Sequence, residues 1–397
     1  MNNNSLGIHI DAYYRSLNKY KEELCGDRVQ IKRSDRCLVM VLADGLGSGV
    51  KANILSTLTS TIISEMIFSG MSLQDAVETI TATLPVCSER GIAYSTFTII
   101  QVFYNTNCYI AQFDNPSIVL LRNNQVVDLE KEEHIINDKK IYISKTHVKP
   151  DDRLVTFSDG VLHAGVGMTL NFGWGQEEVE HFLSTRTRSE DDARETTRLL
   201  LTNVNYLYGG KPGDDSTVAC LKIVQAKETR VMVGPPTNKE DDQKVVDKLL
   251  DATGYKICCG GTTSQIVSRI TNRELTTDLT QEILAYDVPP TGKIEGIDLV
   301  TEGVITLQRV SRYIRNATKS FEQVEEFLLS NEKDGATLLT KMLLESTQIT
   351  FMVGLSDNPA HDAIAYSPIS LNAKIKIIKE MQENLKRLGK IVTIEMY

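Results

Sequence analysis

The chain has 397 residues, 41% of them hydrophobic and 24% charged, the balance of a globular protein with room for two domains rather than of a disordered chain. Its formal charge of −9 and pI of about 5.4 argue against nucleic-acid or anionic-lipid partners. No apolar run approaches the ~18–20 residues of a membrane span, and the polar N-terminal stretch lacks the apolar core of a secretory signal.

Seven cysteines are scattered along the sequence with no CxxC pair, an odd number that does not suit a disulfide framework. Most sit in apolar runs and read as small buried hydrophobes. A reducing compartment, and so a cytoplasmic protein, is expected.

Residues 1–225 read mainly as strands broken by two helical stretches. CLVMVLAD (37–44) is a near-continuous apolar run, as a buried strand requires. The Gly-rich turn DGLGSG follows, and KANILSTLTSTIISEMIFSG then repeats apolar residues at helical spacing. SLQDAVETITATLPV predicts a second helix with Ser72 as N-cap. Three β-rich segments come next, and the Arg122–Gln125 turn between apolar stretches is a hairpin signal. Asp151-Asp152 marks a turn between two further strands. Helices over about 176–184 and 190–207 precede a closing strand, STVACLKIVQ.

From about 228 the grammar changes to strands alternating with helices. RVMVGPP, YKICCGG, GIDLVTEG and ITFMVGLSD predict four strands, most ending in glycine. Helices are predicted between them and over 304–347, and a Lys-rich helix at 372–388 leads into IVTIEMY. This grammar predicts a small open α/β sheet. The expected domains are 1–226 and 227–397: an α+β domain, then a smaller α/β domain with a mostly parallel sheet.

Chemistry concentrates in acidic turns at strand ends: Asp44-Gly45 after VMVLA, Asp159-Gly160 after RLVTFS, and Asp214-Asp215 just before a strand, with Asp27 as a fourth. Carboxylates converging on one sheet edge repel unless cations neutralise them. Oxygen-rich sites of that kind suit Mg²⁺ or Mn²⁺. Asp-Gly is also an ordinary turn dipeptide, so spacing alone leaves structural turns as an alternative.

The order of elements resembles the metal-dependent protein phosphatases of type 2C, in particular the bacterial branch typified by SpoIIE. VLADGLGSG (41–49), LVTFSDGV (154–161) and GDDSTVACLKI (213–223) are similar to three motifs of that branch in the same order. AYSTFTIIQV and FDNPSIVLLRNNQVVDL resemble its Thr-bearing strand and its hairpin with Asn-Pro. The resemblance covers about residues 8–225.

It implies an α-β-β-α sandwich and a phosphoserine/phosphothreonine phosphatase acting in bacterial signal transduction. It implies two divalent cations, Mn²⁺ or Mg²⁺, and a phosphorylated regulatory protein as substrate. Asp44 would bridge both metals, the Gly45 carbonyl would ligate one, and Asp159 and Asp214 would ligate the other. Asp27 is implied as an accessory contact and Asp215 as a turn residue. His163 and Asp114 depart from the family pattern, although neither change removes a ligand. No aligned arginine identifies a phosphate clamp.

In the second domain, Gly260-Gly261-Thr262-Thr263 opens a helix after a strand, where backbone N–H groups attract anions and a small phosphate-bearing ligand could dock. An ordinary helix cap is the alternative. Two other functional readings are a non-catalytic regulatory module on the same fold, and a C-terminal domain acting on a small phosphorylated metabolite.

Overall fold

The computed structural model describes residues 7–34, 36–83, 95–167, 169–277, 291–319, 334–356 and 371–397. Contacts divide the chain into two units, one formed by Gly7–Gln225 and one containing Ala226–Tyr397.

The first unit runs β1 (Ile8–Leu17), β2 (Asp27–Arg33), β3 (Cys37–Gly45), α1 (Gly49–Phe68), α2 (Leu73–Thr83), β4 (Ser95–Phe103), β5 (Asn107–Phe113), β6 (Val119–Arg122) and β7 (Gln125–Val127). It continues β8 (Glu132–Ile136), β9 (Lys139–His147), β10 (Arg153–Phe157), α3 (Asp159–Leu162), α4 (Gln176–Arg186), α5 (Ala193–Leu207) and β11 (Ser216–Gln225). The strands form two antiparallel sheets, ordered β1-β11-β10-β6-β7 and β2-β3-β4-β5-β9-β8.

Period-2 alternation explains the layering. In β3, Leu38, Met40 and Leu42 pack between the sheets against Ala219, Leu221 and Ile223 of β11. Val39 and Val41 face the other way and pack with Ile63, Ile67 and Val77 of α1 and α2. Val218 and Cys220 of β11 likewise pack on Val179, Leu200 and Val204 of α4 and α5. The result is an α+β fold, an α-β-β-α sandwich, as expected. Strands buried on both faces read as continuous apolar runs for this reason.

Local chemistry fixes the turns and caps. Asn123 and Asn124 both have positive φ, 51° and 57°, the two-residue hairpin geometry that asparagine tolerates. Ser72 accepts from the Asp75 N–H at 3.1 Å ahead of α2. Asp152 is fully buried and accepts both Arg122 Nε (2.9 Å) and Nη2 (2.7 Å), which fastens the β9–β10 turn to the β6 hairpin. The predicted end of the second helix, 84–86, and Cys87 lie outside the described residues.

One helix departs from the amphipathic pattern. α1 buries Ser56, Thr59, Ser60 and Ser64 beside Ala52, Ile63 and Ile67, while Val50, Ile54, Leu58 and Ile62 are exposed. Its apolar repeat therefore points largely to solvent.

The second unit runs β12 (Glu228–Val233), α6 (Asp241–Leu250), β13 (Tyr255–Cys259), α7 (Gly261–Thr271), β14 (Thr276–Thr277), β15 (Gly292–Lys293) and β16 (Leu299–Thr301). Then come α8 (Val304–Ala317), α9 (Gly335–Glu345), β17 (Gln348–Val353), α10 (Leu371–Arg387) and β18 (Ile391–Met396). The sheet order is β14-β15-β16-β13-β12-β17-β18, in which β16 through β18 are parallel and β14-β15 form an antiparallel margin. In chain order the parallel strands read 3-2-1-4-5, the doubly wound arrangement. Helices α8, α9 and α10 cover one face and α6 and α7 the other. IVTIEM, which the sequence reading left unassigned, is a full strand paired with β17. Within the predicted helical span 304–347, α8 and α9 lie at the two ends, and 320–333 are outside the described residues.

Candidate metal centre

The acidic turns of the first unit come from both sheets. Asp27 opens β2, Asp44 nearly closes β3, and the two are register partners in that ladder. Asp159 follows β10 as the first residue of α3, and Asp214 lies in the turn before β11.

Short hydrogen bonds tie these ends together. Ser158 Oγ donates to Asp27 Oδ2 at 2.7 Å and accepts from the Thr217 N–H at 2.9 Å. Asp215 accepts the N–H groups of Lys19 and Gly26, each at 2.9 Å. Asp215 is thus a brace between the β1–β2 connection and the β11 turn, consistent with a turn role. Close approach constrains the same rim. A methyl group on Gly45 would lie 2.1 Å from the Ala52 carbonyl oxygen, and one on Gly160 2.0 Å from that of Asp215. Only glycine fits at either place.

The electrostatics are those of a crowded acid cluster. Burial and the neighbouring charges of Asp27, Asp159 and Asp214 push Asp44 up to about 10. Burial raises Asp27 to about 7, against the lowering effect of its hydrogen bonds to Ser158 and Thr217. Asp159 is raised by burial and by the charge of Asp214. Two bases border the cluster: Lys19 Nζ lies 3.6 Å from Asp214 Oδ1, and His163 Nδ1 lies 4.0 Å from Asp159 Oδ2.

Among the described residues, no three His, Cys, Asp or Glu side chains converge tightly enough to form a ready ion site. Asp44 is nonetheless in side-chain hydrogen-bonding range of both Asp27 and Asp159, so the acids meet pairwise around it. The donor set fits a hard divalent cation. Its donors are carboxylate oxygens and the Gly45 carbonyl, and Asp27 Oδ1 is buried without a hydrogen-bond partner.

Sequence reasoning missed Ser158, whose place in the Ser-Asp-Gly motif was the available signal. It also missed the link behind the Asn-Pro hairpin. Thr96, the register partner of Asp44, donates to Asn115 Oδ1 at 2.7 Å, and Asn115 Nδ2 donates to Thr98 Oγ1 at 3.2 Å.

In the second unit Gly260, with φ 112°, caps α7, and Gly261, Thr262 and Thr263 form its first turn at the carboxyl end of β13. Thr263 is buried, and its hydroxyl accepts the Gly234 N–H at 3.0 Å, joining the ends of β12 and α7.

Two antiparallel sheets flanked by helices, with acids from both sheets at one rim, define a metal-dependent protein phosphatase fold of type 2C. Residues 34–224 match the family described as Stage II sporulation protein E (SpoIIE), and the first unit is similar to that family. A curated relative, Stage II sporulation protein E of Bacillus subtilis (strain 168), is 23% identical over 186 residues. That match covers 46% of this chain and 22% of the relative, so the chain spans less than a quarter of that protein.

Among solved structures, the phosphatase domain of Bacillus subtilis SpoIIE with a fragment of its regulatory domain has a TM-score of 0.49 at 20% identity, covering 55% of this chain and 63% of that one. The PPM Ser-Thr phosphatase MsPP of Mycobacterium smegmatis has a TM-score of 0.39 at 14% identity, covering 53% and 97%. Among the described residues, no helix is long and apolar enough to cross a membrane.

Proposed function

We propose that the first unit hydrolyses phosphoserine or phosphothreonine on a partner regulatory protein with the help of Mn²⁺ or Mg²⁺. The observation that carries this reading is the gathering of Asp27, Asp44, Asp159 and Asp214, from both sheets, at one rim. In it, Asp44, the Gly45 carbonyl, Asp159 and Asp214 hold the cations, and Asp27 serves as an accessory acid.

When bound, divalent cations acidify water and neutralise phosphoryl charge. The chain itself does the positioning. Ser158 orients Asp27, and Asp215 holds the two connections that carry the rim. Glycines 45 and 160 let backbone approach where any side chain would intrude. Lys19 offsets part of the cluster's negative charge, and His163 stands beside Asp159.

The second unit, in this reading, receives a ligand or recruits the partner at the carboxyl edge of its parallel strands, where Gly260, Gly261, Thr262 and Thr263 stand. Cysteines 25, 37, 108, 220, 258 and 259 are free thiols, which suits a cytoplasmic site of action.

The test is turnover of para-nitrophenyl phosphate and of a phosphoserine peptide by the full chain, with and without Mn²⁺. Activity that needs the cation and disappears in Asp44→Asn is expected. A chain that folds but turns over neither substrate in Mn²⁺ or Mg²⁺ overturns the reading.

A further inference from the structure

A knot of lysines borders the acid rim. The connection between β1 and β2 carries Lys19, Tyr20 and Lys21, and the turn ahead of β11 carries Lys211, three residues before Asp214. Two backbone bonds pin the connections together. The Lys19 N–H donates to Asp215 Oδ1 at 2.9 Å, and the Tyr20 N–H donates to the Pro212 carbonyl at 2.8 Å. Lys19 Nζ then comes within 3.6 Å of Asp214 Oδ1. The ammonium groups of Lys21 and Lys211 each stand 5.5 Å from the centre of the Tyr20 ring, which is 50% exposed.

Lys19 has an acid beside it. Lys21 and Lys211 are exposed and, among the described residues, pair with no carboxylate. Glu22, next in the chain, is engaged by the Ser48 hydroxyl at 3.2 Å, ahead of α1. Cations gathered on one ring repel each other, so an anion brought among them is attracted. On a chain of formal charge −9 this patch is a local exception.

Its position gives it a use. Three residues of chain place Lys211 no more than ~11 Å from Asp214, and an extended peptide advances ~3.3 Å per residue. A substrate with its phosphate at the rim therefore brings its second to fourth neighbouring residues to the lysines.

We propose that Lys21, Lys211 and the Tyr20 ring they share bind an acidic stretch of the phosphoprotein substrate, two to four residues from its phosphoserine or phosphothreonine. The patch so read depends on the hydrolysis proposed above and sets which phosphoproteins are taken: those with aspartate or glutamate beside the phosphorylated residue. Exposed charge pairs are individually weak, so the preference is modest, ~5–10-fold in kcat/KM at low salt. It resides mainly in KM and shrinks as salt is added.

The test uses the full chain in Mn²⁺ and phosphoserine peptides that carry Asp, Asn or Lys at those neighbouring positions, on one side or the other. Hydrolysis and the anisotropy of fluorescein-labelled copies are both measured. The Asp peptide is expected to be the best substrate and the tightest bound. Lys21→Gln with Lys211→Gln, at unchanged circular dichroism, removes the preference, and Lys21→Glu with Lys211→Glu reverses it in favour of the Lys peptide. A merely structural role for the lysines would not produce that reversal.

Para-nitrophenyl phosphate has no flanking residues and reads the chemistry alone. If it is turned over while the three peptides are bound and hydrolysed equally, the docking proposal falls and the phosphatase reading stands. A preference that survives the Glu pair of substitutions also overturns the docking proposal. If nothing is turned over, the phosphatase reading falls and takes the substrate rule with it, whatever the anisotropy shows.

Discussion

Asp27 and Asp44 stand opposite one another across the β2–β3 ladder, two acids placed as register partners at the rim where both sheets end. Asp44 is the member surrounded by three further carboxyl groups, and burial together with their charges disfavours its ionised form. Asp44→Asn keeps the shape and removes that charge. Turnover is expected to fall by at least ~10²–10³-fold, while the cation-free protein melts at a higher temperature than the unsubstituted one. Calorimetry in chelator beside an activity assay checks both halves.

The same acids set a pH dependence whose sign is fixed. Their folded values, about 7 for Asp27 and about 10 for Asp44, lie above the ordinary 3.8. Raised acids favour the protonated folded state, so their contribution is present at low pH and is lost as pH rises through 7 and toward 10. The melting temperature of chelator-treated protein is expected to fall between about pH 5 and about pH 8, and added Mn²⁺ should raise it more at the upper end. A flat profile with no cation effect would show that the cluster does not govern stability.

Ser158 joins the sheets through one hydroxyl, donating to Asp27 and accepting from Thr217. Ser158→Ala leaves the Thr217 N–H unmet at a fully buried site and takes one donor from Asp27, at a cost of about 1–3 kcal/mol. Denaturant titration should report that loss, and the Mn²⁺ concentration for half-maximal activity should rise. Unchanged values for both would mean that Asp27 is held by other contacts.

Gly160 cannot accept a side chain. The carbonyl oxygen of Asp215 would lie 2.0 Å from its Cβ, and backbone cannot step aside as a flexible side chain can. Gly160→Ala is expected to destabilise by about 1–3 kcal/mol or more and to displace the α3 turn that carries Asp159. Proteolysis rates and melting temperature measure this, and wild-type values for both would refute the close approach.

Arg122→Ala provides a contrast away from the rim. It strips the fully buried Asp152 of its bidentate partner and leaves it only the Lys149 N–H, at a cost of about 1–3 kcal/mol. The per-molecule activity of the surviving folded fraction should be retained, because the pair fastens a turn and touches none of the four rim acids. Loss of activity without loss of stability would contradict that assignment.

Much of this fold is legible because burial writes itself into sequence. CLVMVLAD is apolar throughout since β3 is covered on both faces, and Asn123-Asn124 announce a turn that needs two positive φ values. The rim acids were visible as strand-end Asp-Gly and Asp-Asp pairs. Their braces were not, because a serine hydrogen-bonded across 131 residues has no local signature. The orientation of α1 was equally hidden. Helical spacing of Val50, Ile54, Leu58 and Ile62 signals a stripe but not which way it faces, and in this helix the hydroxyl side is the one that turns inward. The closing strand IVTIEM escaped notice because it pairs on one side only, at the sheet margin, where polar residues are tolerated.

The pairing of β1 with β11, from Ile8 opposite Gln225 to Leu17 opposite Ser216, works as a clasp between the two ends of the first unit. The segment matched by the SpoIIE family begins only at residue 34, downstream of both β1 and β2. A fragment trimmed to that segment would discard Asp27 and bare the edge of β11, inviting chains to stick to one another through that open strand. Any shortened version of the first unit therefore has to start at or before Ile8.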